Sequence, residues 1–328
     1  MDKVRCALIG AGGMANSVHY PSLAEMDDVE MVGLCDLFED KCHATADKFE
    51  IDYRGTEYKR MLEDVAPDAV WVLMPPHHLF DIVVHCLSQG LHVFIEKPPA
   101  VTAYQVRSFA QHADKHNCLT MTGFNRRWIP LLTQCRDKVL ERGNMIQCVS
   151  TFYKWHAGGP YYNGAIDILY CDAVHAVDTL RWMGGDVVDV VSDIKFNGRE
   201  FETSWIALTR HTSGCTGVLL TNWMVGGRVH SFEMHAKGIS AFAEPEPGRG
   251  AVIHIDGQLE AEKIGTEQAA GTDLRHHTYG FYGENRHFVD CVRDGTQPRV
   301  TGRDGLAVTK VICAIEESIR SRAPVDIG

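Results

Sequence analysis

Residues 4–9 (VRCALI) form an apolar run that breaks into Gly10-Ala11-Gly12-Gly13-Met14-Ala15, and few local patterns constrain a fold as tightly. A short strand that turns through G-x-G-x-x-A into a helix is the opening unit of a doubly wound parallel sheet. Gly10 permits the tight turn. Gly12, with Gly13 and Met14 in the same loop, lets a pyrophosphate approach the backbone where helix N–H groups favour an anion. Ala15 is small enough for the helix to pack on the strand. The glycine pattern alone is weak evidence, so its context decides. A second apolar run, residues 30–35, ends in Asp36. An acid there is the expected acceptor for the adenosine-ribose hydroxyls and repels a 2′-phosphate, so NAD is favoured over NADP. The other role open to Asp36 is a helix N-cap. Pro21 interrupts the first helical pattern and predicts a short or kinked helix.

The rhythm then repeats. Helical patterns over 38–49, 57–64, 81–89 and 103–116 alternate with strand patterns over 69–74, 91–95 and 119–122. From Phe124 it breaks. Helical patterns cover 130–142 and 166–182, and alternating segments cover 145–155, 187–195, 205–209, 217–223, 229–235 and 252–255. The predicted fold class is α/β: an N-terminal Rossmann-type doubly wound parallel sheet over 1–123, then a C-terminal α+β domain over 124–328 with a large, mainly antiparallel sheet. The helical pattern 305–320 has one apolar face and predicts a closing helix that packs back on the fold.

Several residues carry chemistry. Glu96-Lys97-Pro98-Pro99 ends the strand 91–95 and leaves a lysine at its carboxyl edge, where ligands bind in open α/β sheets. Lysine is costly to bury without a partner or a function, and the proline after it restricts its backbone. Pro75 and Pro76 end the strand 69–74 at the same edge, the expected place of a nicotinamide ribose. On the helical stretch 166–182, His175 has Cys171 and Asp172 before it and Asp178 after it at three- and four-residue spacing, so they share a face. An acid beside a histidine orients the ring and supports its cationic form. Of the adjacent Arg126 and Arg127, one is expected to be solvated and the other paired to a carboxylate.

Composition removes other functions. A net charge of −11 argues against nucleic-acid binding. The 11 cysteines contain no CxxC pair, which points to a reducing cytoplasm, no disulfide framework and no thiolate zinc site. The 17 histidines contain no HExxH spacing, so no metal is expected, and His19, His43, His85 and His112 read as surface or half-buried helix residues. Neither a G-x-S-x-G elbow nor a Walker A pattern occurs. No apolar run reaches the roughly 18 residues of a membrane span.

The segments GAGGMA, MPP, GLHVFIEKPPAVT, GFNRRWIP and HAVDTLRWMGG, the acid Asp36 and the tail from FVDCVRDG onward resemble, in this order, the glucose–fructose oxidoreductase / inositol dehydrogenase / MocA family over nearly the whole chain. The resemblance implies that Lys97 is a catalytic lysine near the substrate hydroxyl and the nicotinamide, with His175 the second catalytic residue. The family's usual aspartate four residues before that histidine is Cys171 here, so Asp172 takes its place in the expected set. A histidine usual after the MPP turn falls on Leu79, preceded by His77 and His78. The expected cofactor contacts are Gly10, Gly12, Gly13, Met14, Asp36, Pro75, Pro76, His78, Glu96 and Lys97. The expected substrate contacts are Lys97, Arg127, His156, Asp172 and His175. The implied activity is NAD(H)-dependent hydride transfer to or from a secondary alcohol of a sugar, sugar derivative or cyclitol, by a homodimer or homotetramer assembled through the C-terminal sheet. Transient-redox chemistry on bound NAD (cleavage, elimination or epimerisation) and a non-catalytic NAD sensor are the alternatives.

Overall fold

The structure, a computed structural model, describes residues 3–156 and 158–327. The chain packs as two compact units. One runs to Asn125 and is rejoined by Phe281–Leu306; the other is Arg126–Gly280 with the chain from Ala307 onward. The first boundary lies two residues past the 123/124 junction read from sequence, and 281–306 is the segment that rejoins the first unit.

In the first unit, β1 (Val4–Ile9), β2 (Val29–Cys35), β3 (Tyr53–Gly55), β4 (Ala69–Val72), β5 (His92–Glu96) and β6 (Thr120–Gly123) form a parallel sheet in the order β3-β2-β1-β4-β5-β6. All four residues of β4 are buried, the mark of a strand covered on both faces. The order reverses between β1 and β4, so the crevice beyond their carboxyl ends is the ligand position. The helix after the glycine loop contains a π-turn, Ala15–His19, before the α-helical Tyr20–Ala24. Pro21 has no N–H to give, and the Tyr20 N–H reaches back five residues to the Ala15 carbonyl. Helix Ala103–His116 runs from a Thr102 cap, whose hydroxyl accepts from Gln105 N, to left-handed Asn117. The returning helix Phe281–Asp294 brings Phe288 against Trp71 and Phe94 in the core, and Arg286 and Arg293 onto Asp28.

The second unit holds β7 (Gln147–Trp155), β8 (Val187–Lys195), β9 (Ser204–His211), β10 (Thr216–Asn222), β11 (Met224–Ala236), β12 (Ile239–Ala243), β13 (Gly250–Ile255), β14 (Glu262–Gly265) and β15 (Val325–Asp326). They form one sheet in the order β14-β13-β12-β11-β7-β10-β9-β8-β15, antiparallel except between β7 and β10. Helices Pro130–Glu141 and Val174–Gly184 pack on one face. On the other, paired positions make a cross-strand row of Val191, Leu208, Val218, Val149, Glu233, Phe242 and Val252. Leu208 is 47% exposed, and Ile206 on the same strand and Phe242 farther along the row are open to solvent too.

Candidate functional site

The glycine loop leaves the carboxyl end of β1 with the geometry that the motif requires. Gly10 has φ +109°, and a Cβ there would lie 2.5 Å from the Leu73 carbonyl oxygen, so no other residue fits. At Gly12 and Gly13 the same construction meets nothing within 4 Å. With the exposed Met14 they border open space at the start of the helix. Asp36, at the end of β2, is buried; its Oδ2 accepts from Ala11 N at 2.6 Å and its Oδ1 from Phe38 N at 2.9 Å. The carboxylate is thus tied into the loop itself, which the sequence pattern did not indicate. The Asn16 amide donates to the Ala11 carbonyl, and the Tyr20 hydroxyl to the Gly10 carbonyl. A cradle that side chains would fill, closed by an acid, fits a dinucleotide such as NAD. Gly12, Gly13 and Met14 would hold its pyrophosphate and Asp36 its adenosine ribose.

Lys97 follows β5 at the same edge of the sheet, half-buried, with a cis bond to Pro98. Its neighbour Glu96 turns inward, where Oε1 is 3.3 Å from His19 Nε2. His19 is 0% exposed, which corrects the expectation of a surface or half-buried histidine. The π-turn that Pro21 induces carries it inward, where Asn285 and the edges of Phe94 and Phe281 surround it. Pro75 and a 3₁₀ turn, Pro76–His78, end the β4 segment, with Pro76 buried and His77 and His78 exposed. Leu79, where the family resemblance placed a histidine, is wholly buried in the core with Val83 and Ile9, so packing accounts for its apolar character.

In the second unit, the helical stretch read as one helix consists of a π-turn, Leu169–Ala173, followed by Val174–Gly184. A π-turn closes i→i+5 hydrogen bonds, which rotates the residues ahead of His175 away from the straight-helix reading. His175 is buried, and its carbonyl accepts from the Thr179 hydroxyl. Cys171 is buried as well. Three donors converge on Asp172 Oδ2: Lys154 Nζ, the Tyr161 hydroxyl at 2.8 Å and Trp223 Nε1 at 3.1 Å. Burial, opposed by Asp172 and reinforced by Arg126 and Arg228, pushes Lys154 down to about 8. The Tyr161 hydroxyl is pushed well up, by burial first and then by Asp172. His156 stacks on Tyr161, with Nε2 3.3 Å from the Gly159 carbonyl.

The two arginines do not divide into a solvated and a paired one, because both are buried or nearly so. Arg127 forks onto Asp178, with Nη2 2.6 Å and Nε 3.0 Å from the carboxylate, inside the unit. This pair joins the 3₁₀ turn Asn125–Trp128 to helix Val174–Gly184. Arg126 lies 4.8 Å over the Phe152 ring, and burial pushes it down to about 10. Lys154, Arg228, His230 and Glu246 also gather here; sequence reasoning missed them, since each comes from a separate segment.

Two family models match the chain, one describing the NAD-binding Rossmann fold of the oxidoreductase family, over residues 4–124, and one its C-terminal alpha/beta domain, over residues 146–327. The myo-inositol 2-dehydrogenase of Thermotoga maritima is 22% identical, covering 99% of this chain and 98% of that protein. The D-xylose 1-dehydrogenase (NADP(+)) 2 of Haloferax volcanii is 25% identical, covering 98% of both. Among solved structures, levoglucosan dehydrogenase in complex with NADH superposes with a TM-score of 0.88 at 17% identity, over the whole of both chains. With its two sheets, its glycine loop and both family domains in place, the chain belongs to the Gfo/Idh/MocA oxidoreductase family.

Proposed function

We propose that this member of an NAD(P)-binding oxidoreductase family uses NAD to oxidise, or NADH to form, a secondary alcohol of a sugar, sugar derivative or cyclitol. The observation that carries the reading lies within the first unit. Lys97 stands at the carboxyl end of β5, one strand from the β1/β4 switch point where the glycine loop and Asp36 form the nucleotide cradle. When bound, the nicotinamide supplies the hydride acceptor or donor. Lys97 is assigned to the reacting oxygen: a lysine ordinarily carries positive charge at neutral pH and stabilises developing alkoxide. His175 is assigned as the group that takes the hydroxyl proton. Asp172, already held by Lys154, Tyr161 and Trp223, fixes the polar surroundings one turn earlier. Asp36 favours NAD, because its charge opposes a 2′-phosphate. The inositol and xylose dehydrogenases among the relatives support a polyhydroxy substrate. The mainly apolar row on the open sheet face supports a homo-oligomer, and eleven cysteines that remain thiols support a reducing compartment such as the cytoplasm.

The test is NADH absorbance while the purified protein is incubated with NAD and a panel of sugars, uronic acids and cyclitols, with product analysis on the same samples. NADH should rise with one substrate class, and Lys97→Ala or His175→Ala should cut turnover about 10²–10⁴-fold with NAD binding retained. Equal turnover in both variants would sink the assignment. Substrate consumed without NADH moves the reading to transient-redox chemistry.

A further inference from the structure

We propose that His230 is a substrate-binding residue, whose ring nitrogen Nε2 hydrogen-bonds a hydroxyl of the polyhydroxy ligand. This rests on the polyhydroxy-substrate reading above and names one group in the second unit that would recognise such a ligand.

His230 lies on β11 directly opposite Phe152 of β7 in the strand register. The two rings stack, with centroids 3.9 Å apart and an interplanar angle of 18°. The stack fixes the plane of the imidazole, so its two nitrogens have set directions. Just before it, the pairing of β11 with β7 skips from Met224 to Val229, a bulge containing Gly226, Gly227 and Arg228. Bulges of this kind re-aim side chains. Here Arg228 reaches back to the ring, with Nη2 3.4 Å from His230 Nδ1. Glu246 Oε1 is also 3.4 Å from Nδ1, and it accepts from Arg228 Nε at 3.1 Å. The Tyr279 hydroxyl donates to the other oxygen of Glu246. One edge of the imidazole is therefore fully engaged.

The opposite edge is not. Nε2 is buried and has no hydrogen-bond partner among the described residues, on a side chain only 2% exposed. Native proteins leave few buried polar atoms in that state, and each is destabilising. Packing alone does not explain the residue: Phe152 and Phe232 meet edge to face beside it, and an apolar side chain would join them without orphaning an atom. Nor is His230 a buried cation. Burial first, then Arg126, Arg228 and Lys154, push it well down, so the ring is neutral. In a neutral ring, Nε2 is a donor when Nδ1 accepts from Arg228 and an acceptor when Nδ1 gives its proton to Glu246. A hydroxyl satisfies either form, because it both donates and accepts; a carboxylate or a ketone satisfies only the first. The charges that act on His230 include Asp172, three residues before His175. The orphaned atom thus belongs to the polar group around the proposed proton acceptor. That group keeps contact with solvent, since Arg228 is 48%, Glu246 20% and Lys154 16% exposed. Rotamer changes of such side chains are the ordinary response to an incoming ligand.

The deciding experiment compares the full-length wild type with His230→Phe and His230→Gln. Thermal melts are run without ligand, and the NAD-saturated proteins are titrated calorimetrically with myo-inositol, D-xylose and D-glucose. His230→Phe keeps a ring on Phe152 and removes the polar atom; His230→Gln keeps an amide that can replace Nε2. His230→Phe should melt no lower than the wild type, because an unsatisfied atom is gone. It should bind the preferred polyol about 10-fold or more weakly, the worth of one hydrogen bond to a buried group, and His230→Gln should recover part of the loss. A ligand-free melt several degrees lower for His230→Phe makes the ring structural and overturns the proposal, as does unchanged polyol affinity in that variant. Failure of all three polyols to bind the wild type below about 10 mM, well short of ordinary substrate affinity, overturns the hydroxyl assignment. Binding is read without turnover, so the two readings fail separately. Polyol binding that needs His230 but yields no NADH refutes the dehydrogenase reading alone, whereas NADH formation undiminished in His230→Phe refutes this contact alone.

Discussion

His19 Nε2 and Glu96 Oε1 lie 3.3 Å apart in a part of the first unit closed to solvent. The surrounding hydrogen bonds decide which atom holds the proton. Asn285 Oδ1 accepts from Trp71 Nε1 at 2.7 Å, so its Nδ2 faces the Phe281 carbonyl and His19 Nδ1. Nδ1 is therefore an acceptor, and the proton on Nε2 points at Glu96. The residue next to Lys97 is held by a partner 77 positions earlier. His19→Ala removes that donor from a buried carboxylate and should cost about 1–3 kcal/mol. A thermal melt should show a fall of several degrees, with His19→Gln, whose amide can still donate, recovering much of it. A melt unchanged by His19→Ala refutes the role.

The same residue marks the limit of what local sequence carries. The β1 strand, the glycine loop, Asp36, helix Ala103–His116 and strand β8 are legible because each is written in consecutive residues whose period or capping is self-sufficient. Pro21 signalled a broken helix, but not that the break would be a π-turn turning His19 inward. His19's burial depends on Asn285, 266 residues away, which no periodicity encodes. The short strands β3, β12 and β14 are defined by their neighbours in the sheet more than by their own alternation. Arg126, Lys154 and Arg228 are likewise brought together by a 3₁₀ turn and a bulge, features that spacing rules for regular elements do not reach.

Asp36 is both an acceptor in the loop and a charge beside the proposed ribose position. Replacing it by serine keeps a short acceptor for Ala11 N and removes the charge. Repulsion between a carboxylate and a 2′-phosphate about 4 Å apart is worth between ~1 and ~4 kcal/mol, depending on solvent access. Asp36→Ser should therefore lower KM for NADP about 10-fold or more and raise KM for NAD. Steady-state kinetics with both cofactors checks it; a wild-type preference for NADP would remove the basis of the assignment.

The row of Val191, Leu208, Val218, Val149, Phe242 and Val252, interrupted only by Glu233, needs cover. Leu208→Lys puts a charge into the row next to its Val191 end, at a position already 47% exposed, so folding of the single chain is spared. Light scattering behind size-exclusion chromatography should give a multimer for the wild type and a smaller species for the variant. A monomeric wild type at micromolar concentration would show that the face is not an interface between copies.

Lys154 makes the second unit's stability depend on pH. It is faced by Asp172 and the Tyr161 hydroxyl, by the Trp223 ring, and by Arg126 and Arg228. Burial takes it from 10.5 to about 8, with the arginines adding to the fall and Asp172 resisting it. Between about 8 and 10.5 the unfolded chain holds a proton that the folded chain lacks, so Lys154's contribution to stability rises with pH across that window. Thermal melts of the wild type and Lys154→Met from pH 7 to pH 10 check it: the difference between them should move in favour of the wild type as pH rises, and a difference independent of pH would refute the lowered amine.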